Sequence, residues 1–419
     1  MTFLDKLHHP EYYLKTFLKW AFLSVIVGVV GGLLGAGFHH ALYFVTHLRA
    51  EHNWLIFLLP VGGLLTVTVY SVLGVRKNRG TNEVIEAILK KQPVSPMVAP
   101  AVFLASAITH LLGGSAGREG AALQIGGSVA SGLGKLLHLK DHNRTILITC
   151  GMSAVFAGLF GTPLTAMLFC MEFASVGTLF TPALLPCYLS AFLASRVSGA
   201  LGVHAETYML DTAVALNFAN TGSAILLAVL VSGLGVAMCY VFHKAEHLAA
   251  HYLPNVWVRI AVGGAVITAL TLLAGDQRFN GAGMEMAMEA LGGHADWYSF
   301  LVKMLFTAVT LAAGFKGGEI VPTFCIGATF GCVVGAALGL ESGIAAALGL
   351  IGLFCCATNS PLASIVLSVE MFGGANLYLF ALTCVICFVL SGTSGLYASQ
   401  IMKYEKIDRY LIKEEKARD

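Results

Sequence analysis

The strongest constraint on this chain is that its sequence is similar to itself. Residues 113–175 and 314–374, laid side by side, share an order of landmarks. The first stretch contains GGSAGREGAALQIGGSVASGLG and then GMSAVFAGLFGTPLTAMLFCMEF; the second contains GFKGGEIVPTFCIGATFGCVVG and then GLIGLFCCATNSPLASIVLSVEMF. Glu119 precedes Pro163 by 44 positions and Glu319 precedes Pro361 by 42, and each proline precedes a glutamate, Glu172 or Glu370, by 9. Upstream, TNEVIEAIL (81–89) stands before Glu119 much as GMEMAMEAL (283–291) stands before Glu319. The pattern predicts two related halves, 1–205 and 206–402, followed by a short charged tail, 403–419.

The solvent for such a fold follows from composition. Of the 419 residues 57% are hydrophobic and only 11% charged, where soluble domains carry about 25% charged residues. A water-facing surface would have to be paved with Leu, Val and Ala, so the partner of this surface is a lipid bilayer. Apolar runs at 20–38, 54–74, 224–241, 256–275 and 299–314 approach the roughly 20 residues of a spanning helix. The stretches after Gly113, Gly151, Phe315 and Gly349 instead break and restart at Gly, Pro or charged residues. Such breaks survive at membrane depth only inside protein or beside a cavity. The expected class is an all-α polytopic membrane protein. Residues 1–19 mix acids, His and Lys and do not resemble a cleavable signal. Basic residues gather at Lys15 and Lys19, at Arg76, Lys77 and Arg79, at Lys135, Lys140 and Arg144, and beyond Lys403. By the positive-inside rule, these loops and both termini are expected in the cytoplasm, around an inner (plasma) membrane span. A net charge of +2 with no internal basic block argues against nucleic acid. The ten cysteines lie mostly in apolar runs, as small packing residues.

Two halves built from broken helices place a substrate where the breaks meet, near the midplane. A helix beginning at Gly-Arg-Glu-Gly or Gly-Gly-Glu exposes free N–H groups and the positive end of its dipole, and that end attracts anions. A carboxylate at the same depth is costly and therefore functional by default. Ionised, it competes for the site as a tethered anion; protonated, it can leave carrying a proton. Glycines packing helices in lipid are the bland alternative, which the two equivalent copies weaken.

These residues resemble a known family. GREGAALQIGG (117–127) is similar to the GREGP motif of the CLC chloride channels and proton-coupled exchangers, FKGGEIVPTFCIGATFG (315–331) to their second-half motif, and SGLYAS (394–399) to their tyrosine segment. The resemblance implies about 18 tilted and broken helices in two inverted-topology repeats, a homodimer with a pore in each subunit, and cytoplasmic termini. It makes Glu119 the gating glutamate and Tyr397 a donor to the central anion, and the short tail leaves no room for the family's nucleotide-binding regulatory domains. Three departures from chloride-selective members stand out: Arg79-Gly80-Thr81-Asn82-Glu83 lacks their serine and proline, Ala121 replaces the proline of GREGP, and Glu319 stands at an apolar position. All three resemble the bacterial fluoride/proton antiporters of this family.

The anion path implied by the resemblance runs past Gly80, Thr81, Asn82, Gly117, Arg118, Gly120, Gly318, Ile320, Phe324 and Tyr397, with Glu119 and Glu319 as gating and proton-transfer groups. Fluoride is small and strongly hydrated, so hydroxyl, amide and backbone donors must replace its water, and Phe324 can present an electropositive ring edge. The alternatives are a Glu319 carboxylate satisfied by its own helix dipole and an Asn82 that serves as a helix cap. Arg118 offers either positive potential or a salt bridge near the mouth. The inner proton-transfer glutamate of the family falls at or beside Glu172, with Phe173 the better match; Glu172 and Glu370, as repeat equivalents, suggest a shared structural role. His243, His247 and His251 share a helical face, either as a wet interface or with metal-ligand spacing, and Met284, Met286 and Met288 are packing residues. The sequence calls for no cofactor or metal, and an acid-pair enzyme lacks any nucleophile or catalytic spacing. The expected function is proton-coupled fluoride export, protecting the cell from fluoride; the alternative is a chloride/proton antiporter or passive chloride channel of the same fold.

Overall fold

In the computed structural model, which describes residues 10–75, 79–208, 210, 213–403 and 406, the chain folds as two series of helices. The first series is α1 (Pro10–Glu51), α2 (Leu59–Val72), α3 (Thr81–Lys90), α4 (Val98–Leu111), α5 (Glu119–Leu136), α6 (Asp141–Phe160), α7 (Pro163–Glu172) and α8 (Leu184–Ala200). The second is α9 (Phe218–Tyr252), α10 (Val256–Ala274), α11 (Met284–Leu291), α12 (Ser299–Ala313), α13 (Ile320–Ala337), α14 (Ser342–Thr358), α15 (Pro361–Phe372) and α16 (Leu377–Leu390). Short 3-10 helices at Asn53–Leu58 and Thr181–Ala183 complete the helical segments among the described residues. The two-residue strands β1 (Ser175–Val176) and β2 (Ile401–Met402) pair in parallel. Arg76 and Lys77 and most of the charged tail lie outside the described residues.

The matching landmarks of the sequence become matching punctuation. α6 ends on Gly161 and α14 on Asn359, both in the left-handed conformation that stops a helix. Pro163 and Pro361 then open α7 and α15, where the missing N–H costs nothing. At the crossing of α5 and α6, Gly126 meets the Gly151 carbonyl, and at the crossing of α13 and α14, Gly327 meets the Gly349 carbonyl. Backbones approach so closely only without side chains, which is how helices gain contact where lipid supplies no hydrophobic drive. Seven helical segments among the described residues are long and apolar enough to cross a membrane. α7 and α15 are among the shorter helices, as the breaks in the sequence predicted; α12, expected from 299–314 to approach a full span, is also one of the shorter ones, and α13, which starts beyond Phe315, is long enough to cross.

The halves are clasped by the second pair of equivalent glutamates. Glu172, ending α7, accepts from the Leu362 and Ala363 N–H groups at the start of α15 (3.2 and 3.0 Å). Glu370, near the end of α15, accepts from Leu164 and Thr165 at the start of α7 (2.9 and 2.8 Å). Each carboxylate satisfies donors that its partner helix leaves open. The shared structural role expected for these two residues is therefore present, and Glu172 is fully engaged by it.

Candidate functional site

Three helix starts converge between the halves. α5 begins at Glu119 after Arg118, α13 begins at Ile320 after Glu319, and α3 begins at Thr81 after Gly80. The first two are tied by reciprocal backbone hydrogen bonds: Gly117 N–H donates to the Gly318 carbonyl at 2.6 Å and Gly318 N–H to that of Gly117 at 2.8 Å. This antiparallel link joins the repeats at the residues preceding their glutamates. It also aims the open N–H groups of both helices toward one place.

The Glu119 side chain fills that place. It is fully buried, and neither carboxylate oxygen has a hydrogen-bond partner of good geometry. The donors around it are the backbone N–H groups of Arg118, Glu119 and Val321. A Cβ on either Gly117 or Gly318 would strike its Oε2. The carboxylate thus rests in a cradle that only glycine can form. Thr81 closes the next side: a Cβ on Gly120 would stand 2.7 Å from Thr81 Oγ1.

Two cavities approach from opposite directions. One, of about 500 Å³, is lined by Gly80, Thr81, Asn82, Lys316, Glu319 and Ser399 among others. The other, of about 330 Å³, is lined by His39, Arg49, His110, Arg118, Glu206 and Val321 among others. Glu119 separates them and lines neither. α1 ends at the smaller cavity, through His39 and Arg49, whereas its counterpart α9 ends at the larger one, through His243 and Glu246. α4 and α12 show the same reversal, with His110 at the smaller cavity and Leu311 and Ala312 at the larger. The repeats are inverted. Because α1 spans 42 residues, about 60 Å at about 1.5 Å per residue, its first residue lies at the face remote from the smaller cavity. Ser399, near the chain's other end, lines the larger one.

The remaining expected residues divide. Glu319 faces the larger cavity, makes no cap hydrogen bond, and leaves Oε2 buried without a partner of good geometry, with its own backbone N–H among the donors around it. Tyr397 is buried, its hydroxyl has no partner, and both glutamates lie within its electrostatic reach. Gly80 rather than Asn82 caps α3, while Asn82 Oδ1 accepts from Ser399 N–H at 2.9 Å and so tethers the tyrosine segment to α3. Ile320 is buried as the first residue of α13. Phe324 lines neither cavity; it packs edge-on against Phe354, in an aromatic cluster with Phe169 and Phe173 that reaches Tyr397. Arg118 forms an ion pair with Glu206 and lies 5.1 Å from the Phe160 ring centre, so the salt-bridge alternative at the mouth is the one present. His247 and His251 stack at 6.4 Å, and His243 lines the larger cavity.

Several site residues escaped the sequence reading. Lys303 is wholly buried and donates to Ser115 Oγ, the Phe279 carbonyl and the Gly281 carbonyl at 2.7–3.0 Å, pinning the approach to Gly117. Its signal was present as a lone lysine inside an apolar run, which is informative by itself. Lys316 lies 5.0 Å from the Tyr70 ring centre at the larger cavity. Arg49, His110 and Glu206 carried no motif.

Inverted halves whose helix starts surround a gate between two cavities define a multi-pass membrane protein of ion passage. Residues 62–392 match the family described as voltage gated chloride channel, and the chain belongs to it. It is 32% identical to a "Chloride/fluoride channel protein" of Pseudomonas syringae pv. tomato, over 98% of this chain and 93% of the relative. Among solved structures it is similar to a CLC-type fluoride/proton antiporter, with TM-score 0.89, 31% identity and coverage of 92% of this chain and 98% of the other. A slow cyanobacterial Cl-/H+ antiporter shares the fold at TM-score 0.76 and 20% identity, covering 89% of this chain and 94% of the other.

Proposed function

We propose that this protein exports fluoride in exchange for protons. The observation that carries the reading is the partnerless Glu119 carboxylate lodged among helix N-termini between two cavities. Ionised, it closes the path as a tethered anion. Protonated, it loses its attraction for the N–H groups and yields the cradle to a fluoride. One side chain thereby couples the two ions. Fluoride reaches the cradle from the larger cavity, exchanging water for Thr81, Asn82 and Tyr397 donors and the backbone N–H groups. Gly117, Arg118, Gly120, Gly318 and Ile320 supply that backbone, Gly80 the turn before Thr81, and the Phe324 ring a neighbouring apolar wall. Glu319 carries protons on the larger-cavity side. The likeness to a chloride/fluoride channel protein at 32% identity and to a CLC-type fluoride/proton antiporter at 31% supports fluoride as the substrate.

In this reading the larger cavity opens to the cytoplasm and the smaller to the outside. Lys135, Lys140 and Arg144, together with the N-terminal end of α1, lie toward the larger-cavity face, in accord with the positive-inside rule. The protein is placed in the inner membrane with both termini in the cytoplasm, its repeats meeting near 205/206, and it works as a homodimer like the family it resembles. Proteoliposomes loaded with fluoride test the function. Fluoride efflux, read by electrode, is expected to drive protons inward against their own gradient while chloride moves poorly. Equal chloride and fluoride rates would overturn the selectivity, and efflux without proton movement would overturn the exchange.

A further inference from the structure

The smaller cavity holds a titratable side chain that the gate mechanism does not use. His110, near the end of α4, is 4% exposed and lines that cavity. Its Nδ1 stands 2.8 Å from the Ser106 carbonyl oxygen. A carbonyl only accepts, so Nδ1 carries the hydrogen, and Nε2 of the neutral ring is left as a lone-pair acceptor. Nε2 is buried and has no partner. Burying an unpaired polar atom is costly unless it meets water or a partner in another state. The same cavity reaches Val321, whose N–H is one of the donors around Glu119. At about 330 Å³ the cavity is large enough to hold water.

We propose that His110 is the proton acceptor of the smaller cavity, relaying protons between bulk water and Glu119. Nε2 takes a proton from cavity water to form the imidazolium, and returns it through water to a Glu119 carboxylate oxygen, regenerating the neutral ring and a neutral carboxyl. Nδ1–H stays on Ser106 throughout, so the ring keeps its orientation and only Nε2 exchanges. The charged groups facing the ring are Arg49 on α1, Arg118 before α5 and Lys303 on α12. His39, Glu206, Arg278 and Glu285 line the rest of the cavity. Arg118 is paired with Glu206, and Arg278 with Glu289 and Asp296, so the positive charge of each is countered. The arrangement suits transit: an acceptor with one fixed and one open nitrogen, in a space large enough for water.

The inference rests on the proton-coupled reading above. It is tested by coupled fluoride efflux from proteoliposomes of known orientation, with the outer pH varied, for wild type, His110→Gln and His110→Ala. Both variants are expected to match wild type at acid outer pH and to fall about tenfold or more behind it toward neutral pH, where the relay limits supply. Imidazole added outside is expected to restore His110→Ala and leave wild type unchanged. A variant pH profile parallel to wild type, or a deficit uniform across pH and indifferent to imidazole, overturns the relay. Failure of the exchange reading is distinct, since wild type itself would then move no protons. If His110→Ala does not fold, the His110→Gln profile decides, because the glutamine amide can still donate to Ser106 but cannot carry a proton.

Discussion

Two pairs of glutamates occupy equivalent places in the repeats, and they behave oppositely. Glu172 and Glu370 exchange helix caps across the halves with near-identical geometry, each carboxylate meeting two N–H donors. Glu119 and Glu319 stand at the starts of equivalent helices, Glu119 as the first residue of α5 and Glu319 just before α13, and neither is satisfied in that way. Glu119 is sealed in the cradle with both oxygens unpartnered, whereas Glu319 faces a cavity with one. Duplication supplies equivalent parts; the lateral pair, Glu172 and Glu370, retains the symmetry, and the central pair, Glu119 and Glu319, departs from it, as the proposed exchange requires. A buried carboxylate with its donors met is structural, and one left unmet is a group waiting for another state.

Breaking the central pair has the largest expected effect. Glu119→Gln cannot ionise, so proton movement coupled to fluoride is expected to drop about 100-fold or more, measured by a pH-sensitive dye in proteoliposomes. An unchanged fluoride-to-proton ratio would remove Glu119 from the gate. The variant should unfold no more easily than wild type, because it deletes an unmet charge. Gly318→Ala places a methyl against Glu119 Oε2 and the N–H groups of Glu119 and Gly120. Fluoride flux should fall by about tenfold or more as the near-attack geometry of the cradle is lost, with protein yield retained; wild-type flux would show that the cradle is looser than this packing requires.

Breaking the lateral pair should do the reverse. Glu370→Ala strands two N–H groups at the start of α7, a loss of about 1–3 kcal/mol, visible as a lower unfolding midpoint in detergent, while the coupling ratio of surviving protein stays at the wild-type value. Glu172→Ala should match it in size, and a clear inequality between them would mean that the clasp is not symmetrical in energy. Glu319→Gln gives the smallest change expected: slower coupled flux by about threefold to tenfold with Glu119 still gating. Complete loss of coupling there would make the two central residues equal partners.

Much of this was legible beforehand because it depends on local rules. The duplicated spacing, the Gly or Asn stop before each Ser/Thr-Pro start, and the apolar length of α1, α9 and α10 all act within a few residues of themselves. The glycine-rich starts at Glu119 and Glu319 were readable for the same reason. The structural pairing of Glu172 and Glu370 could be guessed from symmetry, but not its partners, since each cap lies about 190 to 206 residues away. The choice between an ion-facing and a capping Asn82 could not be made beforehand, because its actual partner, the Ser399 N–H, lies far away in the sequence. Arg49, His110 and Glu206 gather at one cavity from three separate segments, and no window of sequence contains them together.

The sequence alone determined the solvent, the duplication, and the four glutamates, because hydrophobicity and helix punctuation are properties of neighbouring residues. Tertiary structure decided which glutamates are satisfied. Whether a carboxylate meets an N–H group depends on where distant helix ends point, and only the packing of one inverted half against the other sets that direction.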